Sequence, residues 1–222
     1  DAGKLAGTLA LVARRGKIAY FEPLGHLEIE RKRPVAPDSV FRIYSMTKPI
    51  ASVGLMMLWE QGRFQLDDPV HKFIPSWREQ RVFVGGNHPT WKTTPVERGM
   101  TVRGLLSHTS GLTYGFMERT NVDAAYRKLG IIDWTTPGYA VRDMIAELAT
   151  LPLEFSPGTR WNYSVATDVL GHLIEVNSGQ RLDAYLPEHV SGPLGMRDTS
   201  FTIRDDQVSR FAGNYERQAD GQ

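Results

Sequence analysis

Ser45 and Lys48 place a hydroxyl and an amine three residues apart in the stretch Ser-Met-Thr-Lys. Residues at i and i+3 share one face of a helix, with Cβ atoms about 5–6 Å apart, so on a helix the amine of Lys48 reaches the hydroxyl of Ser45. An amine at that distance activates a serine as a nucleophile without a histidine. The same two residues also fit an ordinary helix start, with Ser45 as the N-cap and Lys48 as a solvated surface residue.

Tyr163 is the third side chain whose type and place suit proton transfer. It follows the turn-rich stretch of residues 154–162 and directly precedes a predicted helix. Because the pKa of a free phenol is near 10, a catalytic Tyr163 needs a neighbouring cation, and Lys48 is the candidate. The alternative is a half-buried packing tyrosine with its hydroxyl at the surface.

Five aromatic side chains are candidates for an apolar acyl pocket, although aromatic residues at such spacings also form cores. They are Tyr114, Phe116, Trp134, Tyr139 and Trp161.

His108 suggests a serine–histidine pair, but its place at a predicted helix end favours local hydrogen bonding. No G-x-S-x-G motif is present, which argues against the usual α/β-hydrolase arrangement.

The predicted elements around these residues begin with a β-hairpin, from residues 7–12 and 17–21, where a polar, glycine-ending turn separates two β-prone runs. Residues 45–61 follow as a largely apolar helix, with proline in its first turn and Gly62 as its stop signal. Glycines and prolines predict a long irregular loop over residues 80–100. Further helices are predicted within residues 101–108, 137–150, 164–176 and 182–189.

Composition limits the classes of protein to which the chain can belong. It has 222 residues, of which 41% are hydrophobic, and this predicts a globular chain with a sizeable core. With 26 basic and 25 acidic residues the net charge is +1, so no nucleic-acid partner is expected. No apolar run approaches the roughly 18–20 residues of a membrane span, so no membrane partner is expected either.

The same sequence predicts neither a metal nor a cofactor. It contains no cysteine, which excludes disulfides and thiolate chemistry within this chain. Its six histidines show no H-E-x-x-H or similar ligand spacing, and no glycine-rich phosphate loop is present.

Four motifs in a fixed order carry a resemblance that extends over nearly the whole chain. They are Phe-Arg-Ile-Tyr-Ser-Met-Thr-Lys-Pro at residues 41–49, Leu-Leu-Ser-His-Thr-Ser-Gly-Leu at 105–112, Pro-Gly at 157–158 leading to Tyr-Ser at 163–164, and Pro-Leu-Gly-Met at 193–196. In this order they resemble the serine β-lactamase-like superfamily, and most of all family VIII carboxylesterases and their class C β-lactamase relatives.

The resemblance implies an α/β fold of the α+β type, β-lactamase/transpeptidase-like, with an antiparallel sheet flanked by helices plus a helical domain. Residues 1–65 are expected to form the N-terminal part of the α/β domain, residues 66–200 a mainly helical domain, and residues 201–222 the start of the return. Ser45 is expected at the junction of the two domains, where pockets are common. The C-terminal strands and the third family motif are expected in a further segment of the same protein.

The same resemblance assigns roles. Ser45 is implied to be the acylated nucleophile, Lys48 to assist its deprotonation, and Tyr163 to exchange protons with the attacking hydroxyl and the leaving group. The backbone N–H of Ser45 is implied to contribute to the oxyanion hole. The expected substrate is a small carboxylic ester, cleaved through an acyl-enzyme.

One departure from the family pattern bears on the substrate. Class C β-lactamases carry Tyr-x-Asn, whose amide bonds the substrate, whereas this chain has Tyr163-Ser164-Val165. Valine cannot make that bond, so an esterase is favoured over the alternative, a β-lactamase or D,D-peptidase. A non-catalytic binding protein on the same scaffold is the alternative from another class. The compartment is left open between bacterial cytoplasm and periplasm.

Overall fold

The computed structural model describes residues 5–132 and 140–216. Contacts group the chain into two compact units, of which the first takes residues 1–46 and 196–222 and the second takes residues 47–195. Both contain helices, and each contains an antiparallel sheet. The domain boundaries predicted at residues 65 and 200 stay a prediction.

The sheet of the first unit has the strand order β1-β2-β3, formed by Gly7–Arg14, Lys17–Glu28 and Arg33–Pro34. The predicted hairpin is confirmed, with antiparallel pairing from Gly7 opposite Gly25 to Arg14 opposite Lys17. Backbone hydrogen bonds tie the two chain segments of this unit together, because Val40 N–H donates to the Arg210 carbonyl and Ala212 N–H donates to the Val40 carbonyl.

The second unit holds a hydrophobic core built mainly from helices. Helix α1 (Thr47–Glu60) buries Ala51, Gly54, Leu55 and Leu58 on one face, as the 3.6-residue period requires. The other α-helices described in this unit are α2 (Val102–Leu106), α3 (Asn121–Lys128), α4 (Val141–Leu148), α5 (Ala166–Ser178) and α6 (Leu182–Leu186). A short α7 (Asp205–Val208) belongs to the first unit.

The predicted irregular loop over residues 80–100 is wrong. Residues Arg81–Asn87 and Thr90–Pro95 form an antiparallel hairpin, β4 and β5. The ladder shifts register between Phe83 and Gly85, so the glycines lie at an irregularity rather than ending the strand. Tertiary pairing also supports β4, since Phe83 N–H donates to the Leu153 carbonyl and Leu153 N–H donates to the Arg81 carbonyl.

Helix α3 is absent from the sequence-based predictions. Its N-terminus carries a capping box, in which Thr120 and Asp123 satisfy each other's backbone N–H groups. The helix has only eight residues, and this is too short for its apolar positions to show a clear period. Among the helices that the structure describes, none is long and apolar enough to cross a membrane.

Candidate active site

Lys48 lies in the first turn of α1, and its side chain is half-buried. The helix starts two residues after the predicted Ser45 and ends before Gly62, whose φ of 72° and hydrogen bond to the Trp59 carbonyl close the last turn. The apolar face of α1 packs into the core of the second unit, and this packing fixes the helix that carries the lysine.

Tyr163 is positioned by backbone pairing between two distant segments that both carry family motifs. His108 accepts a hydrogen bond from Asn162 N–H through its carbonyl, and Thr113 accepts one from Val165 N–H. The Asn162 side chain donates to the Leu112 carbonyl at 3.0 Å. Backbone hydrogen bonds therefore hold the chain on both sides of Tyr163.

The side chains of Lys48 and Tyr163 meet in the second unit. The Lys48 Nζ atom lies 4.6 Å from the centroid of the Tyr163 ring and 5.5 Å from that of the Tyr114 ring. A cation at this distance from an aromatic ring is attracted to its face, and it also favours the charged form of a phenol. The arrangement is suited to holding a tyrosine that takes up and releases a proton.

Five rings form a continuous row on both sides of this contact. Phe116 stacks on Tyr114 with centroids 4.7 Å apart, and Tyr114 lies 5.4 Å from Tyr163. On the other side, His108 lies 5.0 Å from Tyr163 and 6.2 Å from Trp161. The two ends of the row are exposed, with 66% of Trp161 and 56% of Phe116 open to solvent. These two side chains are available to an apolar ligand, whereas Tyr114 is buried.

A carboxylate stands beside the same tyrosines. The Tyr114 hydroxyl donates a hydrogen bond to Asp168 Oδ2 at 3.4 Å. Burial raises the pKa of the Asp168 carboxyl, and the positive charge of Lys48 opposes that rise. Burial and the neighbouring Asp168 also hold the pKa of Tyr114 well above its ordinary value, so Tyr114 keeps its proton.

His108 contributes a neutral ring to the row. Burial lowers the pKa of His108, and the nearby charge of Lys48 lowers it further. Its Nδ1 atom lies 3.3 Å from the Ser164 hydroxyl, and its backbone has a φ of 55°, a region that few residues other than glycine adopt. The predicted helix-end position is confirmed, but the ring also packs directly against Tyr163.

Ser45 belongs to the first unit and Lys48 to the second, because the boundary falls between Met46 and Thr47. Ser45 is exposed and lies in a short 3₁₀ turn, Tyr44–Met46, directly before α1 in the chain. Tyr44 has a φ of 41°, a costly conformation for a bulky residue that is often found at functional sites. The approach of Lys48 to Ser45 stays a prediction from their spacing.

Two of the predicted pocket residues, Trp134 and Tyr139, lie outside the described residues. The site residue that the sequence-based reasoning missed is Asp168. An acidic residue in the first turn of a helix is common, because it complements the helix dipole, so nothing in the pattern distinguished this one.

Within residues 5–132 and 140–216 there is no group of three acidic, histidine or cysteine side chains placed to hold a metal ion.

Comparison with known proteins confirms the resemblance that the motifs carry. Esterase EstB of Burkholderia gladioli is 38% identical over 217 residues, which are 96% of this chain and 50% of the esterase. Among solved structures, EstCE1, a hydrolase with promiscuous acyltransferase activity, superposes with a TM-score of 0.81 at 30% identity over 95% of this chain and 52% of its own. Simvastatin synthase (LovD) from Aspergillus terreus gives 0.80 at 27% identity, covering 98% of this chain and 55% of the synthase.

The fold class is thereby settled as β-lactamase/transpeptidase-like, with mixed helices and antiparallel sheets. The chain spans about half the length of the curated relatives that it matches. The family model described as Beta-lactamase matches residues 1–222. The chain belongs to the beta-lactamase family.

Proposed function

We propose that the protein carrying this chain is a serine hydrolase that cleaves short-chain carboxylic esters through an acyl-enzyme. Ser45 is the nucleophile, Lys48 assists its deprotonation, and Tyr163 passes the proton to the leaving alcohol. The observation that carries the proposal is the 4.6 Å approach of the Lys48 Nζ atom to the Tyr163 ring, since a phenol serves as a proton carrier near neutral pH only beside a cation.

The chemistry takes place in two steps. Ser45 Oγ attacks the ester carbonyl, its proton moves to the Lys48 and Tyr163 pair, and the alcohol leaves with a proton. Water then attacks the acyl-serine, the proton follows the reverse route, and the carboxylic acid is released with Ser45 restored. The backbone N–H of Ser45, in the turn that directly precedes α1, stabilises the oxyanion that forms in each step.

The residue after Ser164 favours an ester over a β-lactam. Val165 is fully buried, and its N–H donates to the Thr113 carbonyl at 3.2 Å. A buried aliphatic side chain offers no hydrogen bond to a lactam substrate. The exposed rings of Trp161 and Phe116, in contrast, offer apolar surface to an acyl or alcohol group.

Names of relatives add support for acyl chemistry. The relative from Burkholderia gladioli is named an esterase, and the structural neighbour EstCE1 is named a hydrolase with promiscuous acyltransferase activity. Both names refer to those proteins. For this chain they support a serine acyl-transfer enzyme acting on a small molecule, and the further C-terminal segment of the same protein stays a prediction.

The test compares ester and lactam turnover in the full-length protein. We expect hydrolysis of p-nitrophenyl butyrate well above hydrolysis of a chromogenic cephalosporin, and a fluorophosphonate adduct on Ser45 by peptide mass spectrometry. Ser45→Ala removes both signals, whereas Ser76→Ala, at an exposed serine in the 3₁₀ turn Pro75–Trp77, leaves them unchanged. Faster cephalosporin turnover would favour a β-lactamase, and absence of any adduct would favour a non-catalytic binding protein.

A further inference from the structure

Asp168 is a mostly buried carboxylate for which the proposed serine, lysine and tyrosine chemistry has no use. It lies in the first turn of α5, and its Oδ2 atom accepts a hydrogen bond from the Tyr114 hydroxyl at 3.4 Å. Burying a charged carboxylate is unfavourable unless another charge or several hydrogen bonds compensate for it.

Lys48 supplies part of the compensation for the charge of Asp168, whose pKa is still raised overall by burial. Its Nζ atom lies 5.5 Å from the centroid of the Tyr114 ring, and its positive charge counteracts the effect of burial on the pKa of Asp168. Three further titratable groups lie beside this pair: Tyr114 bonds to Asp168, and Lys48 lies beside Tyr163 and acts on His108. Among these side chains Asp168 is the carboxylate, and its ionised form brings a negative charge to the lysine.

Folding stability does not account for the carboxylate. Because burial raises the pKa of Asp168 in the folded protein, its ionised form is less favourable there than in the unfolded chain. The stability associated with this group is present at low pH and is lost as the pH rises through the folded-state pKa. A residue whose charge costs stability at neutral pH is typical of a functional site.

We propose that Asp168 is a positioning residue of the proposed hydrolase, which uses its negative charge to hold the Lys48 ammonium beside Tyr163 while Tyr114 fixes the carboxylate through its hydroxyl. This inference depends on the proposed function. Asp168 does not touch the substrate in this scheme. It acts through Lys48, whose charge stabilises the phenolate that Tyr163 forms during each proton transfer.

Asp168→Asn in the full-length protein tests the charge, because the amide oxygen still accepts the Tyr114 hydrogen bond. We expect kcat for p-nitrophenyl butyrate to fall roughly 10- to 100-fold while KM changes less than about threefold. The acid limb of the kcat profile that depends on the Asp168 carboxyl is lost, because an amide does not titrate there. Asp168→Glu, which keeps the charge, recovers part of the lost kcat.

Thermal unfolding of the same variant separates this role from a structural one. Removing the unfavourable buried charge raises Tm at pH 7 while kcat falls. A folded Asp168→Asn variant with the wild-type kcat and pH profile would overturn the proposal. So would a variant that loses activity only through a higher KM or a lower Tm.

Tyr114→Phe is the second variant, and it does not depend on how Asp168→Asn folds. The ring stays in place, but the carboxylate loses its donor, so the pKa of Asp168 rises further and the acid limb of kcat moves to higher pH. An unmoved acid limb contradicts the proposal. Wild-type turnover is measured first: absence of turnover means that the proposed function has failed, whereas turnover with insensitive variants means that only the positioning role has failed.

Discussion

The Lys48 Nζ atom lies 4.6 Å from the centroid of the Tyr163 ring, although the two residues are far apart in the sequence. Helix α1 fixes one of them, and the paired segments around His108 and Asn162 fix the other. Both belong to the second unit, whose core holds the two supports together. Any displacement of the backbone at Tyr163 therefore requires a change in this pairing or in the core.

Removing the Tyr163 hydroxyl tests the proton-transfer role. Tyr163→Phe keeps the ring beside Lys48 but cannot carry a proton, so we expect kcat to fall about 10²- to 10⁴-fold with KM within a few-fold of the wild type. Steady-state hydrolysis of p-nitrophenyl butyrate provides the measurement. Tyr20→Phe, at an exposed tyrosine of β2, is the matched control and should leave kcat unchanged. A Tyr163→Phe enzyme with wild-type kcat would assign the proton transfer to another group.

The exposed ring of Trp161 is expected to bind substrate rather than to stabilise the fold. Trp161→Ala should raise KM for a hydrophobic ester, such as an octanoate, about 3- to 30-fold more than for an acetate, since only the longer chain reaches apolar surface. Because 66% of Trp161 is exposed, the free energy of unfolding should change by less than about 1 kcal/mol. Phe201→Ala, at an exposed aromatic residue of the first unit, is the control. Equal KM changes for both esters would remove Trp161 from the substrate site.

Gly111 is required where the two paired segments approach each other. Its φ is 87°, and a Cβ atom there would lie 2.4 Å from the Phe155 carbonyl oxygen. Gly111→Ala should therefore lower the free energy of unfolding by about 1–3 kcal/mol and reduce kcat by displacing Tyr163. Urea denaturation checks the first effect.

The matched control for Gly111 lies on the neighbouring helix α2. At Gly104 the nearest atom to an added Cβ is 3.5 Å away, an ordinary contact, so Gly104→Ala should leave stability and kcat nearly unchanged. If both alanine variants behave alike, the close approach at Gly111 is not what fixes the segment.

His108 should lower the stability of the folded state in mild acid. Burial and Lys48 lower the pKa of His108 below its unfolded value of about 6.5, so the unfolded chain binds more protons near pH 6. The stability from this group is present above about pH 6.5 and is lost as the pH falls through the folded pKa, at no more than about 1.4 kcal/mol per pH unit.

His108→Asn should flatten this pH dependence, because asparagine tolerates a positive φ and does not titrate between pH 5 and 7.5. Urea denaturation across that range gives the free energy of unfolding at each pH, with exposed His26→Asn as the control. Burial lowers the pKa of His172 as well, so part of the slope should remain. If the free energy of unfolding of His108→Asn depends on pH as strongly as that of the wild type, the pKa of His108 is not lowered by folding.

The local features of this protein follow from the sequence alone. Apolar residues at a 3.6-residue period, with Gly62 as a stop, predict helix α1 within about two residues of its observed bounds, and this places Lys48 in its first turn. Tyr163 is also found locally, at the junction of a turn-rich stretch and α5. The bounds of a helix and the place of a residue beside a turn depend on neighbouring residues in the chain, and the sequence contains these neighbours.

The tertiary structure decided what surrounds these residues. The hairpin of β4 and β5 forms despite its glycines, because Leu153 pairs with its edge, and no local pattern contains that partner. Asp168 resembles any acidic residue at a helix start until the fold buries it beside Tyr114. Burial and contact between distant segments set the charge and the position of a side chain, and these depend on packing that a residue's sequence neighbours do not determine.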